Sequence, residues 1–361
     1  MRQYMGAIIG TGGIAAAHVR AWQANGERER IVAAMDVDAG RVAAFAAEHH
    51  IQGVYTDVDT MLAAVKPDLV HICSPPNKHA EQVIACLEAG AWVLCEKPFC
   101  AGLAQWDAID DAEQRTGRFC EVGFQWRWGS AARHFKRLLD SGTLGRPLTG
   151  VCDMHWYRGA DYFASAPWRG NWETAFGGPT TNTGIHSMDM YLWIMGDWQE
   201  VTALTATLDH PMQVEDVSLA LVRFENGAVA SFANSWVSPR QETRLRWDTQ
   251  RGTVECVTRG SYTNANWHVT PGNNAGDDAI TEAWATLTED EGSTQIPMLR
   301  SLLDAMDANV RPATSGMESR RTVEFISALY KSAATKTTVQ RGSIAPGDPF
   351  HDRVWGTLGE Q

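Results

Sequence analysis

Between residues 4 and 124, short β-rich runs alternate with longer Ala-rich stretches of helical period, and few folds accommodate that alternation. The runs are Met5–Ile9, Ile31–Met35, Leu69–Cys73, Trp92–Cys95 and Phe119–Gly123. The stretches between them, at 12–24, 39–48, 58–65, 79–88 and 103–116, repeat apolar residues every three or four positions, as helices covering a sheet do. Asn25-Gly26, Ala89-Gly90 and Thr116-Gly117 supply helix stops. Strand and crossover helix in turn predict an α/β domain built on a doubly wound parallel sheet.

After residue 145 the texture changes to longer alternating stretches at 148–157, 201–208, 217–224, 228–237 and 252–258, interrupted by one helical segment at 181–195. This predicts an α+β domain on a large, mostly antiparallel open sheet, with Glu225-Asn226-Gly227 as a hairpin turn. Helices are expected near 298–308 and 317–334. A chain of 361 residues exceeds what one compact core usually holds. The expected division is residues 1–124, a dinucleotide-binding domain, and 125–361, a domain for substrate binding and self-association.

The formal charge of −12, with Lys and Arg scattered, argues against nucleic acid and anionic membranes as partners. No apolar run reaches membrane-spanning length, and the reading is a cytoplasmic protein. Seven cysteines without a Cys-x-x-Cys pair fit a reduced compartment and offer no zinc site, so no metal is expected.

Gly10-x-Gly12-x-x-Ala15 follows the first strand and opens a helix. That is the context of the dinucleotide fingerprint, in which Gly10, Gly12, Gly13 and Ile14 bring backbone and a helix N-terminus to a pyrophosphate. Asp36 ends the second run, where a carboxylate accepts hydrogen bonds from the adenosine ribose and repels a 2′-phosphate. The expected cofactor is therefore NAD. A proline-stiffened turn, Ser74-Pro75-Pro76-Asn77-Lys78-His79, lies at a strand's carboxyl end, so Ser74, Pro75, Asn77 and His79 are expected to line the cofactor.

Taken with Glu96-Lys97-Pro98, Val122-Gly-Phe-Gln-Trp-Arg127 and Gly184-Ile-His-Ser-Met-Asp189, these motifs resemble the Gfo/Idh/MocA family of oxidoreductases over nearly the whole chain. The resemblance implies NAD(P)-dependent oxidation or reduction of sugars and cyclitols, and homodimers or homotetramers assembled through the open sheet. It implies that Lys97 hydrogen-bonds the reacting hydroxyl, that Glu96 and Pro98 shape its turn, that His186 is the general acid/base, and that Arg127 faces the substrate. Glu96, Gln125, Trp168 and Arg169 would reach the dinucleotide. Where the family commonly has Asp four residues before the histidine, this chain has Asn182, which can orient a hydroxyl but cannot take its proton. Some members acting on nucleotide-linked uronic sugars also have Asn there.

Hydride leaves a secondary alcohol only as its hydroxyl proton is taken, so the site needs a base of suitable pKa, which His186 and Lys97 provide by residue type. A helix over 181–195 would put Asn182, His186 and Asp189 on one face toward the substrate. Seven of fifteen tryptophans fall between 126 and 198, where indole faces suit sugar rings and otherwise serve core packing. Tyr157, Arg158 and Arg169 could hold an acidic group on the substrate. The leading function is an NAD-dependent sugar or cyclitol dehydrogenase. The alternatives are a glycoside hydrolase using bound NAD, with C3 oxidation, elimination, hydration and re-reduction, and a non-catalytic dinucleotide sensor.

Overall fold

The computed structural model describes residues 2–166 and 168–360. The chain forms two compact units: the first takes the chain up to Gly123 together with Gln295–Arg320, the second Phe124–Thr294 together with the chain from Arg321 onward.

The first unit runs β1 (Tyr4–Ile9), α1 (Ala15–Ala24), β2 (Glu29–Met35), α2 (Ala39–His49), β3 (Gly53–Tyr55), α3 (Val58–Val65), β4 (Leu69–Ile72), α4 (His79–Glu88), β5 (Trp92–Cys95), α5 (Leu103–Thr116) and β6 (Cys120–Val122). Its six-stranded sheet has the order β3-β2-β1-β4-β5-β6, all parallel, so the expected doubly wound architecture is present. The extra strand is β3, whose three residues carry too little pattern to be read. Strands β4 and β5 are buried throughout, as parallel strands with covered faces must be. Ile8, Val19, Ile31, Val42 and Phe45 close one layer of the core. Asp38 and Asp57 cap α2 and α3 by accepting from the backbone N–H of Arg41 and Thr60.

Gln295–Arg320, which the sequence reading left in the second domain, returns to the first. Its helix Gln295–Ala308 buries Met298, Leu299, Leu302 and Leu303 and packs on α1. Each such side chain contributes about 1.5–3 kcal/mol on burial. The rim ion pairs of Arg28 with Asp304 and Asp307, half-exposed on the acidic side, contribute roughly 0.2–1 kcal/mol each, so the apolar face decides the docking. Thr314 then pairs with the edge strand β6, exchanging backbone and side-chain hydrogen bonds with Val122.

In the second unit, α6 (Ser130–Asp140) leads into β7 (Pro147–Tyr157), and the short helices α7 (Ala160–Ala164), α8 (Trp172–Ala175) and α9 (Pro179–Asn182) precede α10 (Ile185–Met195). Then come β8 (Trp198–Ala206), β9 (Val217–Phe224), β10 (Val229–Ser235), β11 (Val237–Thr249), β12 (Gly252–Thr258), β13 (Trp267–Pro271) and β14 (Val339–Gln340). They form one eight-stranded sheet, β13-β12-β11-β7-β10-β9-β8-β14, antiparallel except between β7 and β10. The hairpin at Asn226-Gly227 is as expected, with Gly227 at φ +86° and Asn226 Oδ1 accepting from Ala228 N–H. One sheet face is buried, carrying Ala220, Val222, Phe232, Leu245 and Trp247. The other leaves Leu204, Leu219, Leu221 and Val229 exposed.

Candidate active site

At the carboxyl edge of the first unit's sheet, Gly10 sits at φ +86°, and a Cβ there would lie 2.6–2.8 Å from the backbone of Cys73 and Ser74. Only glycine lets β1 turn so close to the end of β4. Gly12 and Gly13 differ, since no atom lies within 4 Å of the position a Cβ would take. Packing therefore leaves that space open in front of α1, whose N-terminal amides suit an anion, and a dinucleotide pyrophosphate fits it. Ile14, the residue before α1, is 39% exposed at the same place.

Asp36 is buried at the end of β2. Its Oδ2 accepts from Thr11 N–H and Oγ1–H at 2.9 and 3.0 Å, and its Oδ1 accepts from Asp38 N–H at 3.0 Å. The carboxylate is thus held in place by the glycine loop itself, with Arg41 Nε 3.6 Å away. Asp38, not Asp36, caps α2.

The Ser74–His79 turn is only partly as read. Pro75 and Asn77 are exposed in a short 3₁₀ turn, and Ser74 Oγ donates to Gln82 Oε1. His79, expected against the cofactor, is corrected: it is buried, Nδ1 lies 2.8 Å from the carbonyl of Pro98, and Nε2 lies 2.9 Å from that of Ser74. The ring staples the Glu96–Pro98 turn to the Ser74 turn, which engages both its nitrogens. Burial drives its pKa down, while the two carbonyl acceptors favour protons on both nitrogens.

Lys97 follows β5 half-buried, its peptide to Pro98 is cis, and its N–H donates to Glu96 Oε2 at 3.3 Å. Glu96 is buried, its Oε1 3.1 Å from His18 Nε2 and 3.3 Å from the Gln295 side-chain amide. The five cysteines of this unit are buried and burial pushes their thiols up, leaving them inert at neutral pH.

In the second unit the single helix expected over 181–195 is broken. Asn182 ends α9, Gly184 precedes α10, and His186 lies in the first turn of α10. A Cβ on Gly184 would lie 2.0 Å from Asn234 Oδ1, so the break is where β10 presses its asparagine against the helix start. Buried Glu215 fixes α9 from below, accepting from the backbone N–H of Gly178 and Thr180 and from Tyr330 Oη–H. His186 is half-buried and stacks on Trp126, with ring centroids 6.1 Å apart.

Arg127 and Asp189 were expected to face the substrate, and the structure corrects this. They form a bidentate pair, Nε–Oδ2 2.7 Å and Nη2–Oδ1 2.6 Å, with side chains 4% and 0% exposed. Thr322 Oγ1 donates to the same carboxylate at 2.7 Å, and the rings of Phe124 and Trp193 flank the guanidinium. Planar fork and carboxylate are satisfied by each other, so the pair anchors α10 to the 3₁₀ turn Gln125–Trp128. Gln125 Oε1 in that turn is buried without a hydrogen-bond partner among the described residues, an acceptor suited to a ligand's donor.

Tyr162 is the residue sequence reasoning missed. Its hydroxyl donates to Asn182 Oδ1 at 2.9 Å, its carbonyl accepts from Arg169 Nη1 at 2.7 Å, and the guanidinium carbons of Arg169 and Arg158 lie 4.0 and 4.8 Å from its ring centre. It sits in a run, Ala160–Ala164, with no periodicity to mark it. Trp168 lies beside Arg169, its carbonyl held by Thr174. Tyr157 is 46% exposed at the end of β7. A cleft of about 810 Å³ opens here, lined by Tyr157, Phe163, Arg169, His210, Met212 and Gln213. One wall is held by Asp216: despite burial, backbone N–H groups of Asp209, Leu208 and His210 keep its carboxyl below the usual range. Among the described residues no cluster of three or more metal-ligating side chains occurs, and no helix is long and apolar enough to cross a membrane.

Residues 6–124 match the model of an oxidoreductase family with an NAD-binding Rossmann fold, GFO/IDH/MocA, and residues 132–255 match the C-terminal domain of the same family. The chain is 27% identical to a D-apiose dehydrogenase of Paraburkholderia graminis, over 97% of this chain and 92% of that one. It is 32% identical to inositol 2-dehydrogenase 2 of Saccharopolyspora erythraea, over 62% of this chain and 63% of that one. The WlbA dehydrogenase of Bordetella pertussis, solved with NADH and UDP-GlcNAcA, shares the fold with a TM-score of 0.84 at 23% identity, covering 94% of this chain and 98% of that one.

Proposed function

The chain belongs to the Gfo/Idh/MocA family of NAD-binding oxidoreductases, and from that premise we propose that it oxidises a secondary hydroxyl of a sugar, sugar acid, glycoside or cyclitol. The observation that carries this reading is Lys97: a half-buried ammonium donor at the carboxyl end of β5, on the sheet edge that also presents the Gly10–Ile14 loop and Asp36. Open parallel sheets bind ligands at that edge.

Bound NAD supplies the hydride acceptor. Gly10, Gly12, Gly13 and Ile14 would hold its pyrophosphate, Asp36 its ribose, and Ser74, Pro75, Asn77, Gln125, Trp168 and Arg169 the remainder. Lys97 hydrogen-bonds the reacting hydroxyl and stabilises developing alkoxide charge. His186 takes the hydroxyl proton on its ring, and Asn182, oriented by Tyr162, fixes the substrate without exchanging a proton. Arg169 and Tyr157, which line the cleft, and Arg158, stacked on Tyr162 beside it, favour a substrate bearing a carboxylate or another anion. The relatives' names, D-apiose dehydrogenase and inositol 2-dehydrogenase, support the carbohydrate and cyclitol class. The redox reading accounts for these features without the hydrolytic alternative.

Mixing the protein with NAD and a panel of aldoses, uronic acids, glycosides and inositols should raise absorbance at the NADH band with at least one of them. Silence across the panel from protein that binds NAD would contradict the reading. The exposed leucines of β8 and β9 are the proposed surface of self-association. Sedimentation at micromolar concentration should give a dimer or tetramer, and a monomer would contradict that assignment.

A further inference from the structure

Beneath the Lys97 turn, wholly inside the first unit, four buried acids and bases run in one line. Glu29 Oε1 on β2 lies 2.8 Å from His71 Nε2 on β4, His71 Nδ1 lies 2.9 Å from His18 Nδ1 on α1, and His18 Nε2 lies 3.1 Å from Glu96 Oε1. Glu29, His71 and His18 are wholly buried and Glu96 is 4% exposed. Strand β1 lies between β2 and β4, and the line crosses it at Gly6, where a Cβ would stand 2.4 Å from Glu29 Oε1. Glycine at that strand position makes the room.

The geometry fixes how many protons the line carries. Three contacts at hydrogen-bond distance need one proton each. Two neutral imidazoles between two carboxylates supply only two, and one contact would then set lone pair against lone pair. A fourth proton would set two hydrogens against each other. The line therefore holds three protons and a net charge of −1. Glu29 Oε2 is buried without a hydrogen-bond partner among the described residues, whereas Glu96 accepts from His18, Gln295 and the Lys97 N–H. A carboxylate is costly where donors are missing, so the negative charge rests on Glu96 and the surplus proton on the Glu29–His71 end. Burial pushes the His18 pKa down, in keeping with a neutral ring there.

If each proton moves one step toward Glu96, that carboxyl becomes neutral and Glu29 becomes the carboxylate, with no water entering. Among the ionisable groups that act on Glu96 are the Cys73 and Cys95 thiols, kept neutral by burial, and His79, stapled to two carbonyls; Lys97 follows Glu96 in the chain, with its N–H donating to Glu96 Oε2. We propose that Glu29, His71 and His18 are positioning residues whose concerted three-proton shift sets the charge of Glu96 and, through it, the protonation of the adjacent Lys97. An ionised Glu96 stabilises the ammonium, and a neutral one releases its proton more readily. This rests on the role given to Lys97 above.

Glu29→Gln tests it, because the amide N–H still donates to His71 Nε2 and fills the same volume but cannot give up its proton. The shift is then frozen with the charge on Glu96. The descending limb of the kcat–pH profile, where the Lys97 ammonium is lost, should move up by about one unit, with neutral-pH kcat, KM and the unfolding midpoint unchanged. An unaltered pH profile would overturn the proposal. Independently of turnover and of any folding defect in the variant, ¹⁵N spectra of the histidines in the cofactor-free wild type should show His71 protonated at Nδ1 and His18 protonated at Nε2 alone. A proton on both Nδ1 atoms, or on neither, would overturn it. Absence of turnover by the wild type would remove the Lys97 reading and leave the spectra to decide on the proton line.

Discussion

Lys97→Ala should lower kcat by about 10³-fold or more while NAD affinity stays within about threefold, because in the role proposed for it Lys97 donates to the reacting oxygen. The binding loop does not depend on that side chain: Gly10 is held by the end of β4, and Asp36 by Thr11 and Asp38. Isothermal calorimetry with NAD and steady-state assays on the panel substrate give both readings. His186→Ala should behave alike, at about 10²–10⁴-fold, the range for loss of a general base. If either variant matched wild type, the proton-handling assignment would fall. If NAD affinity collapsed with kcat, Lys97 would be a cofactor ligand first.

Asp189→Ala should destabilise the second unit by about 3–5 kcal/mol, because it leaves the Arg127 guanidinium buried and uncompensated. For a unit of this size that is a fall in melting temperature of about 10 °C. Asp189→Asn should cost less, since the amide keeps one acceptor for Thr322 or Arg127 but loses the charge. Thermal unfolding by circular dichroism decides the matter. A substrate ligand would instead leave the melting temperature alone and raise KM. That outcome would restore the reading that the motif Gly184–Asp189 invites.

These residues show where sequence legibility ends. The strand and helix alternation of the first unit was readable because its strands are short and mostly apolar and several of its helices end at a glycine stop, and the Gly10 loop carries its reason locally. The burial of Arg127 with Asp189 was not, since the partners stand 62 positions apart and both residue types also suit a substrate site. The break at Gly184 depends on Asn234, fifty residues later. The docking of Gln295–Ala308 on α1 was hidden because an amphipathic pattern identifies a buried face but not what buries it. The line from Glu29 to Glu96 draws one residue from each of three elements and one from the turn after β5, so no spacing announces it. Strand β11 is the missed element with a usable signal. Thr243, Leu245, Trp247 and Thr249 are buried while Arg244, Arg246 and Asp248 are half-buried, a clean alternation disguised by its charges and by Pro239 at the irregular start.

The candidate catalytic groups were legible through their motifs, yet their neighbours define the roles. His79 binds two turns together, Tyr162 orients Asn182, and Trp126 backs His186. Each is a contact between segments distant in sequence or without pattern, which only the fold assembles.

The most direct test is to count products. With NAD in excess and the best substrate of the panel, NADH and carbonyl product should appear in a one-to-one ratio and pass many equivalents per protein. Product formed without accumulating NADH would show that the hydride returns to the substrate, and would contradict the account of this chain as a dehydrogenase.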